Sequence, residues 1–249
     1  MHPKIDYLVY SSHKSATQTI TASLRKSGLR AIHCHFLNNI ELDQTNFREW
    51  LTSDDWKSRG SRLKLISVFR EPIDRHISSF FQGYGTRPIR LGEVKDETET
   101  LIYRKSLEHL QDQLVAELET RSLIGYRESV DAICDDLELT PGELKFDASH
   151  LSTLNSTPHA DLHLCRFDHI VQCIAPTLSR ITGRPVEQLD ANVSESKWYA
   201  EKYRRFKETL RLPGRLIRDI YDEKAELLSL FYPRLEKETL NLVLRRYSD

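Results

Sequence analysis

Apolar and polar positions alternate along this chain in short blocks whose period switches repeatedly between that of a strand and that of a helix. Residues 5–11 read as a strand, and residues 17–27 carry Ile20 and Leu24 at helical spacing, with Gly28 where a helix-terminating glycine belongs. Leu29 to His35 reads as a second strand. Residues 44–58 read as a surface helix with Phe47, Trp50 and Leu51 on one stripe. Leu63 to Phe69 (LKLISVF) is β-branched and apolar, the pattern of a buried strand, and Pro72 opens the next helix at a favoured first-turn position. Strand and helix alternating at this rhythm predict an α/β fold, a parallel sheet of four or five strands flanked by helices. Ligands are expected at the loops that follow the carboxyl ends of those strands.

The middle of the chain reads differently. Residues 84–97 form a Gly/Pro/charge-rich loop, and a helical pattern runs from about Thr98 to Leu137, so residues 84–150 are expected to be a helical insertion. Residues 147–160 (DASHLSTLNSTPHA) read as a polar loop. Leu162 to Phe167 forms a further strand leading into an amphipathic helix from about Ile170 to Thr182. From Ser196 onwards the pattern is helical, broken at Pro213-Gly214. No repeat divides the chain, and one domain over residues 1–249 is expected.

Composition narrows the partners. Lys+Arg (36) and Asp+Glu (37) nearly cancel, so no global field recruits nucleic acid or a membrane surface. No apolar run approaches the ~20 residues of a membrane span, and the start lacks a leader pattern. Cys34, Cys134, Cys165 and Cys173 are scattered without C-x-x-C spacing, as reduced thiols are. A cytoplasmic protein without an integral membrane segment is the expectation.

Two stretches carry chemistry. In YLVYSSHKSATQTI, residues 7–20, a strand breaks into a polar loop with one lysine, and a hydroxyl-rich helix start follows. Lys14, the hydroxyls of Ser15, Thr17 and Thr19, and the N–H groups of that helix start make an anion cradle. The Walker A spacing Gly-x-x-x-x-Gly-Lys-Ser/Thr is absent. In SVFREPIDRHISSFF, residues 67–81, the buried strand ends in Arg70, and Arg75 and Ser78 follow in the next helix. Arg70, as a planar fork, and Ser78, as a neutral donor, could serve one phosphate; an ordinary strand–helix junction, with Arg70 paired to Glu71 or Asp74, is the bland alternative.

Together the two stretches resemble the sulfotransferase superfamily that uses 3′-phosphoadenosine 5′-phosphosulfate. His13-Lys14-Ser15-Ala16-Thr17-Gln18-Thr19 is similar to its 5′-phosphosulfate loop, (Pro)-Lys-Ser/Thr-Gly/Ala-Thr/Ser-Thr, with His13 in place of proline, Ala16 the small residue and Gln18 where a hydroxyl is usual. Arg70-Glu71-Pro72-Ile73-Asp74-Arg75-His76-Ile77-Ser78 is similar to its 3′-phosphate motif, with the same arginine-to-serine interval. Leu164-Cys165-Arg166-Phe167-Asp168 resembles the family's late strand. Glu195-Ser196-Lys197-Trp198-Tyr199-Ala200 resembles an Asn-Lys-Trp-Tyr-Ser box of bacterial capsular polysaccharide synthesis proteins, the nearest branch. The resemblance implies a P-loop-like fold and sulfuryl transfer from the nucleotide to a hydroxyl on a saccharide, with no metal. It assigns Lys14, Ser15, Ala16, Thr17, Gln18, Thr19, Arg70, Arg75 and Ser78 to the donor. Ala16 is expected in a helix-like turn and not a left-handed one.

A hydroxyl acceptor must lose a proton, and His33-x-His35 is the best source of a base. The pair looks like the His-x-His of uronyl 2-O-sulfotransferases, which implies His35 as the base with His33 as the alternative. The two imidazoles are expected to point to opposite faces, so that only one faces the site. A metal set joining His33 or His35 with His159, His163 and Cys165, and a purely structural pair, are the competing readings. Residues 197–219 hold eight Lys/Arg against three acids. Trp198, Tyr199, Tyr203 and Phe206 interleave with them as a sugar-stacking surface or as core, and Phe206 is the clearest core residue. Two rival functions remain open: a nucleotide or sugar kinase, and a non-catalytic nucleotide-binding protein of capsule assembly.

Overall fold

The computed structural model describes residues 5–35, 41–42, 45–46, 62–90, 105–120, 129–137, 139–147, 149–150, 152–157, 160–189, 199–232 and 236–248. The chain packs as two compact units. The first comprises Met1–Arg70 with Arg127–Ala191, and the second Glu71–Tyr126 with Asn192–Asp249.

The first unit is built on a five-stranded sheet. Its strands are β1 (Tyr7–Tyr10), β2 (Ala31–Cys34), β5 (Leu63–Phe69), β6 (Thr153–Ser156) and β7 (Ala160–Arg166), in the order β2-β1-β5-β7-β6. The first four in that order run parallel, and β6 closes the edge antiparallel to β7. A separate two-residue ladder pairs β3 (Glu41–Leu42) with β4 (Thr45–Asn46). Residues 45–46 are therefore extended where a helix over 44–58 is expected; Phe47, Trp50 and Leu51 lie outside the described residues.

Strand β5 is the centre of the sheet because every second residue has an apolar layer to enter. Ile66 and Val68 join Tyr7, Val9 and Cys165 on one face. They pack there against Ile20 and Leu24 of α1 (Thr17–Lys26), and Ile174, Leu178 and Ile181 of α6 (Ile174–Thr182). Leu65 and Phe69 project to the other face and are equally buried. A helix of eight residues, α4 (Ser129–Asp136), also packs on β5. Between β7 and α6, the short helix α5 (Phe167–Ile170) replaces the start of the continuous helix expected from Ile170.

Strand β6 corrects the polar-loop reading of residues 147–160. Thr153–Ser156 pairs with Asp161–Leu164, and the hairpin is tied by Thr157 N–H to the Ala160 carbonyl (2.9 Å) and Ala160 N–H to Thr157 Oγ1 (3.0 Å). An edge strand needs no apolar face on its outer side, so its sequence (TLNS) carries the polarity of a loop.

The second unit is mainly helical among its described residues: α2 (Pro72–Arg90), α3 (Leu107–Thr120), α7 (Ala200–Thr209), α8 (Gly214–Glu223), α9 (Ala225–Phe231) and α10 (Glu236–Tyr247), with one isolated parallel bridge between Leu212 and Ser248. Helix α2 continues through Gly83, Gly85 and Pro88, so residues 84–90 are helical where a loop is expected; 91–97 lie outside the described residues. Proline's fixed φ is itself helical, so the helix runs through Pro88 at the loss of one hydrogen bond near its end. Glu71 caps α2: its two carboxylate oxygens accept from Ile73 N–H (2.9 Å) and Asp74 N–H (2.7 Å), and Tyr221 O–H donates to it (2.9 Å). Burial, with Asp74 adding repulsion, holds the Glu71 carboxyl above its ordinary pKa. Asp74 in turn accepts from Tyr247 O–H (3.0 Å) and pairs with Lys207 (2.8 Å). Phe80 and Phe81 meet the Phe206 ring at centroid distances of 6.1 and 5.1 Å, which makes Phe206 core. Tyr199 is also buried, 5.9 Å from Phe81, and Trp198 lies outside the described residues.

Helix α1 ends in a Schellman motif. Leu29 N–H reaches back to the Leu24 carbonyl (3.1 Å) and Gly28 N–H to the Arg25 carbonyl (2.9 Å), with Gly28 at φ 75°. A Cβ at Gly28 would meet nothing within 4 Å, so the cost of adding one is conformational only. Gly28→Ala should destabilise the protein by about 1 kcal/mol and Gly28→Asn by less, read as shifts in the urea midpoint at unchanged slope.

Candidate functional site

The order β2-β1-β5 reverses direction at β1. Chain leaves β1 towards β2 on one side, and β5 is added on the other. Ligands of such sheets bind outside the carboxyl ends of the strands at the switch, a place occupied here by the 11–16 loop and Arg70.

The loop is held at both ends. The Val68 amide donates to Ser11 Oγ (2.7 Å), extending the β1–β5 ladder by a side chain, and Ser11 N–H donates to the Cys34 carbonyl (3.3 Å). Beyond it, Lys14 (φ 68°) and Ala16 (φ 58°) both take left-handed backbone. Ala16 is thus left-handed against expectation. The chain must turn from β1 into α1 in the few residues between Tyr10 and Thr17, and the turn over-rides the ~1–2 kcal/mol penalty of an L-residue there. Left-handed residues alternating in a turn make a concave nest of backbone N–H groups, a shape that receives anions.

The remaining features of the loop suit an anion too. Ala16 is the N-cap of α1, no side chain caps that end, and no acidic residue stands in its first turn. Ser15 is 0% exposed, and its Oγ has no hydrogen-bond partner among the described residues. A buried, unpartnered hydroxyl carries a desolvation cost that a bound acceptor would remove. Thr17 is buried and its carbonyl accepts from Thr21 Oγ1 (2.7 Å), Thr19 is half-buried, and Gln18 is exposed.

Arg70 flanks the loop from the β5 side. Its Nη1 donates to the Lys14 carbonyl (2.8 Å), its guanidinium carbon lies 4.2 Å from the centre of the Phe167 ring, and its buried Nε has no partner among the described residues. In the second unit Glu71 caps α2, and Asp74 pairs with Lys207. Arg166, opposite Phe69 at the end of β7, pairs through Nε and Nη2 with both oxygens of Asp168 (2.7 Å each) and touches His169. Cations thus stand at or just beyond the carboxyl ends of three neighbouring strands.

Arg75 and Ser78 belong to the second unit. They lie three residues apart on α2, hence on one face, and are 1% and 4% exposed.

The histidines also differ from expectation. His33 and His35 do not face opposite ways: their rings meet edge to face at 5.8 Å, as positions two apart along a strand require. His35 lies just past β2, and its Nδ1 is 2.7 Å from the Ser11 carbonyl. A carbonyl only accepts, so Nδ1 carries the proton and the neutral ring leaves Nε2 as the basic nitrogen. His13, which motif reading treats only as a substituted proline, lies against His35 with ring centroids 3.7 Å apart and planes tilted by 36°. Burial lowers the His35 pKa from its ordinary value; the Ser11 carbonyl opposes this, and His33 adds to it. Burial, with help from Arg25, also lowers that of His33.

The competing metal set is not assembled. His33 sits opposite Val9, Val9 opposite Ile66 and Ile66 opposite His163, so the two histidines are three strand spacings apart, about 14 Å. Cys165 is fully buried in the core, burial pushing its thiol up to about 12, and His159 lies outside the described residues. Among the described residues no group of three or more His, Cys, Asp or Glu could hold a metal ion, and no helix is long and apolar enough to cross a membrane.

Compared with known proteins, the chain matches no family model, no curated protein and no solved structure.

The lowered pKa gives a pH dependence of definite sign. His35 is neutral in the folded protein at pH 7, and the unfolded chain binds its proton first as pH falls. Its contribution to stability is therefore present above about 6.5 and lost as pH drops through the folded value. Imidazole NMR should report His35 titrating below 6.5, and His13→Ala, which opens one face of the ring to water, should move it back up. An unchanged His35 titration in that variant would show that the His13 ring does not shield it.

Proposed function

We propose that the protein is a sulfotransferase moving a sulfuryl group from 3′-phosphoadenosine 5′-phosphosulfate to a hydroxyl, with a saccharide as acceptor. The observation that carries this reading is the left-handed Lys14–Ala16 turn, with its buried, unpartnered Ser15 hydroxyl, at the β1/β5 switch beside Arg70. The order of residues, lysine before hydroxyls without a glycine run, distinguishes the turn from a triphosphate loop.

In such a transfer the acceptor oxygen forms a bond to sulfur as the bond from sulfur to the 5′-phosphate oxygen breaks. The acceptor proton needs a base, and the phosphate oxygen gains charge. Lys14 and the amides of the α1 start would meet that charge where it develops. His35 would take the proton on Nε2, with its tautomer set by the Ser11 carbonyl. Arg70, whose Nε lacks a partner among the described residues, suits a 3′-phosphate. Arg75 and Ser78 are assigned to the same phosphate by the motif they share with Arg70.

Adenosine 3′,5′-bisphosphate should raise the melting temperature more than ATP does; the reverse order would favour a kinase. Lys14→Ala should cut sulfuryl transfer by ~10²–10³-fold with a smaller effect on bisphosphate affinity, because the charge it meets appears mainly in the transition state. Lys14→Met, which keeps the stem, should fare no better. Near-normal turnover in both variants would remove Lys14 from the mechanism. Bisphosphate binding without turnover on any acceptor would leave the non-catalytic reading.

A further inference from the structure

Resting on that reading of the loop and Arg70 as a nucleotide site, we propose that Arg70 is a positioning residue for the Lys14 cradle as well as a ligand. Its guanidinium clamps the Lys14 carbonyl, so the cradle's hold on a 5′-phosphate depends on Arg70 even when the nucleotide carries no 3′-phosphate.

Peptide geometry makes the connection. The Lys14 carbonyl and the Ser15 N–H share one planar trans peptide and point in opposite directions. Holding the oxygen fixes the N–H. Arg70 Nη1 holds that oxygen at 2.8 Å with a charge-assisted bond. Lys14, at φ 68°, occupies a region that an ordinary L-residue leaves readily, so the orientation of this peptide needs an external restraint.

The clamp is itself immobilised. Strand β5 ends at Phe69, which is 1% exposed, and this anchors the Arg70 backbone. The Phe167 ring lies 4.2 Å from the guanidinium carbon and fixes its position as a cation–π partner. With Nη1 committed to the loop, the edge of the guanidinium that carries Nε remains for an anion, and Nε is the donor that is buried without a partner among the described residues. One side chain thus presents one edge to the cradle's backbone and another to the ligand. A lysine cannot do both, because its ammonium is a point donor and not a fork.

The test uses adenosine 5′-monophosphate, which has no 3′-phosphate, beside adenosine 3′,5′-bisphosphate. Calorimetry on the wild type, Arg70→Ala, Arg70→Lys and Phe167→Leu would be combined with hydrogen exchange of the 11–20 segment in the free proteins. Arg70→Ala and Arg70→Lys should each weaken the monophosphate at least tenfold and the bisphosphate further. Phe167→Leu, which loosens the clamp while keeping the charge, should weaken both nucleotides by a similar two- to fivefold. Exchange in the 11–20 segment should speed up in all three variants. Monophosphate affinity within twofold of wild type in Arg70→Lys, with only the bisphosphate weakened, would overturn the clamp and leave Arg70 as a 3′-phosphate ligand alone. If the wild type binds neither nucleotide, the sulfotransferase reading fails, and exchange still decides the clamp: no acceleration in Arg70→Lys or Phe167→Leu overturns it.

Discussion

Between Tyr10 and Thr17 the chain has to leave a buried parallel strand and enter a helix that packs back over the same sheet. That reversal leaves room for only a tight turn, and the turn uses left-handed backbone at Lys14 and Ala16, neither of which is glycine. Each such residue costs about 1–2 kcal/mol. The cost is sustained because both flanking elements are deeply anchored: Leu8, Val9, Ile20 and Leu24 are all 0% exposed. The N–H nest and the placement of Lys14 both descend from this turn.

The electrostatics of the candidate site follow from what surrounds the turn. Lys14 and Arg70 supply fixed positive charge, and the acid nearest Arg70 in sequence, Glu71, is occupied at the start of α2. Nearby, the imidazoles behave oppositely. Burial drives His35 towards its neutral form, so it adds an acceptor and no charge to a region already rich in cations. The proposed role of His35 as a base requires this neutral form. The bond to the Ser11 carbonyl fixes the tautomer, and burial holds the ring towards its neutral form against that bond.

Much of the sheet was legible in the sequence because the signal there is burial on two faces. LKLISVF has one reading, and Pro72 after it has one favoured position. Strand β6 was not legible: an edge strand is polar for the same reason a loop is, and only pairing with β7 tells them apart. At the candidate site the residue types could be read but not their geometry. Ala16 looked like a residue that avoids left-handed backbone, and local preference lost to the tertiary demand of the turn. The His13–His35 ring contact joins residues far apart in sequence, and no local pattern encodes such a contact. The same holds for the bond from Arg70 to the Lys14 carbonyl, which spans 56 positions.

Why the loop carries histidine at position 13 follows from the same geometry. A proline there would fix φ and remove an N–H, stiffening the approach to Lys14 through the backbone. Histidine gives up that stiffness, and its ring lies against that of His35, with centroids 3.7 Å apart. Rigidity is then supplied through side chains: His35 is tied to the Ser11 carbonyl, Ser11 Oγ receives the Val68 amide, and Arg70 holds the Lys14 carbonyl. These ties run from the turn to β5 and to the end of β2. The loop is thereby fixed to the two strands that flank β1, and a substitution at Ser11, His35 or Arg70 would be felt at the cradle without touching its lysine.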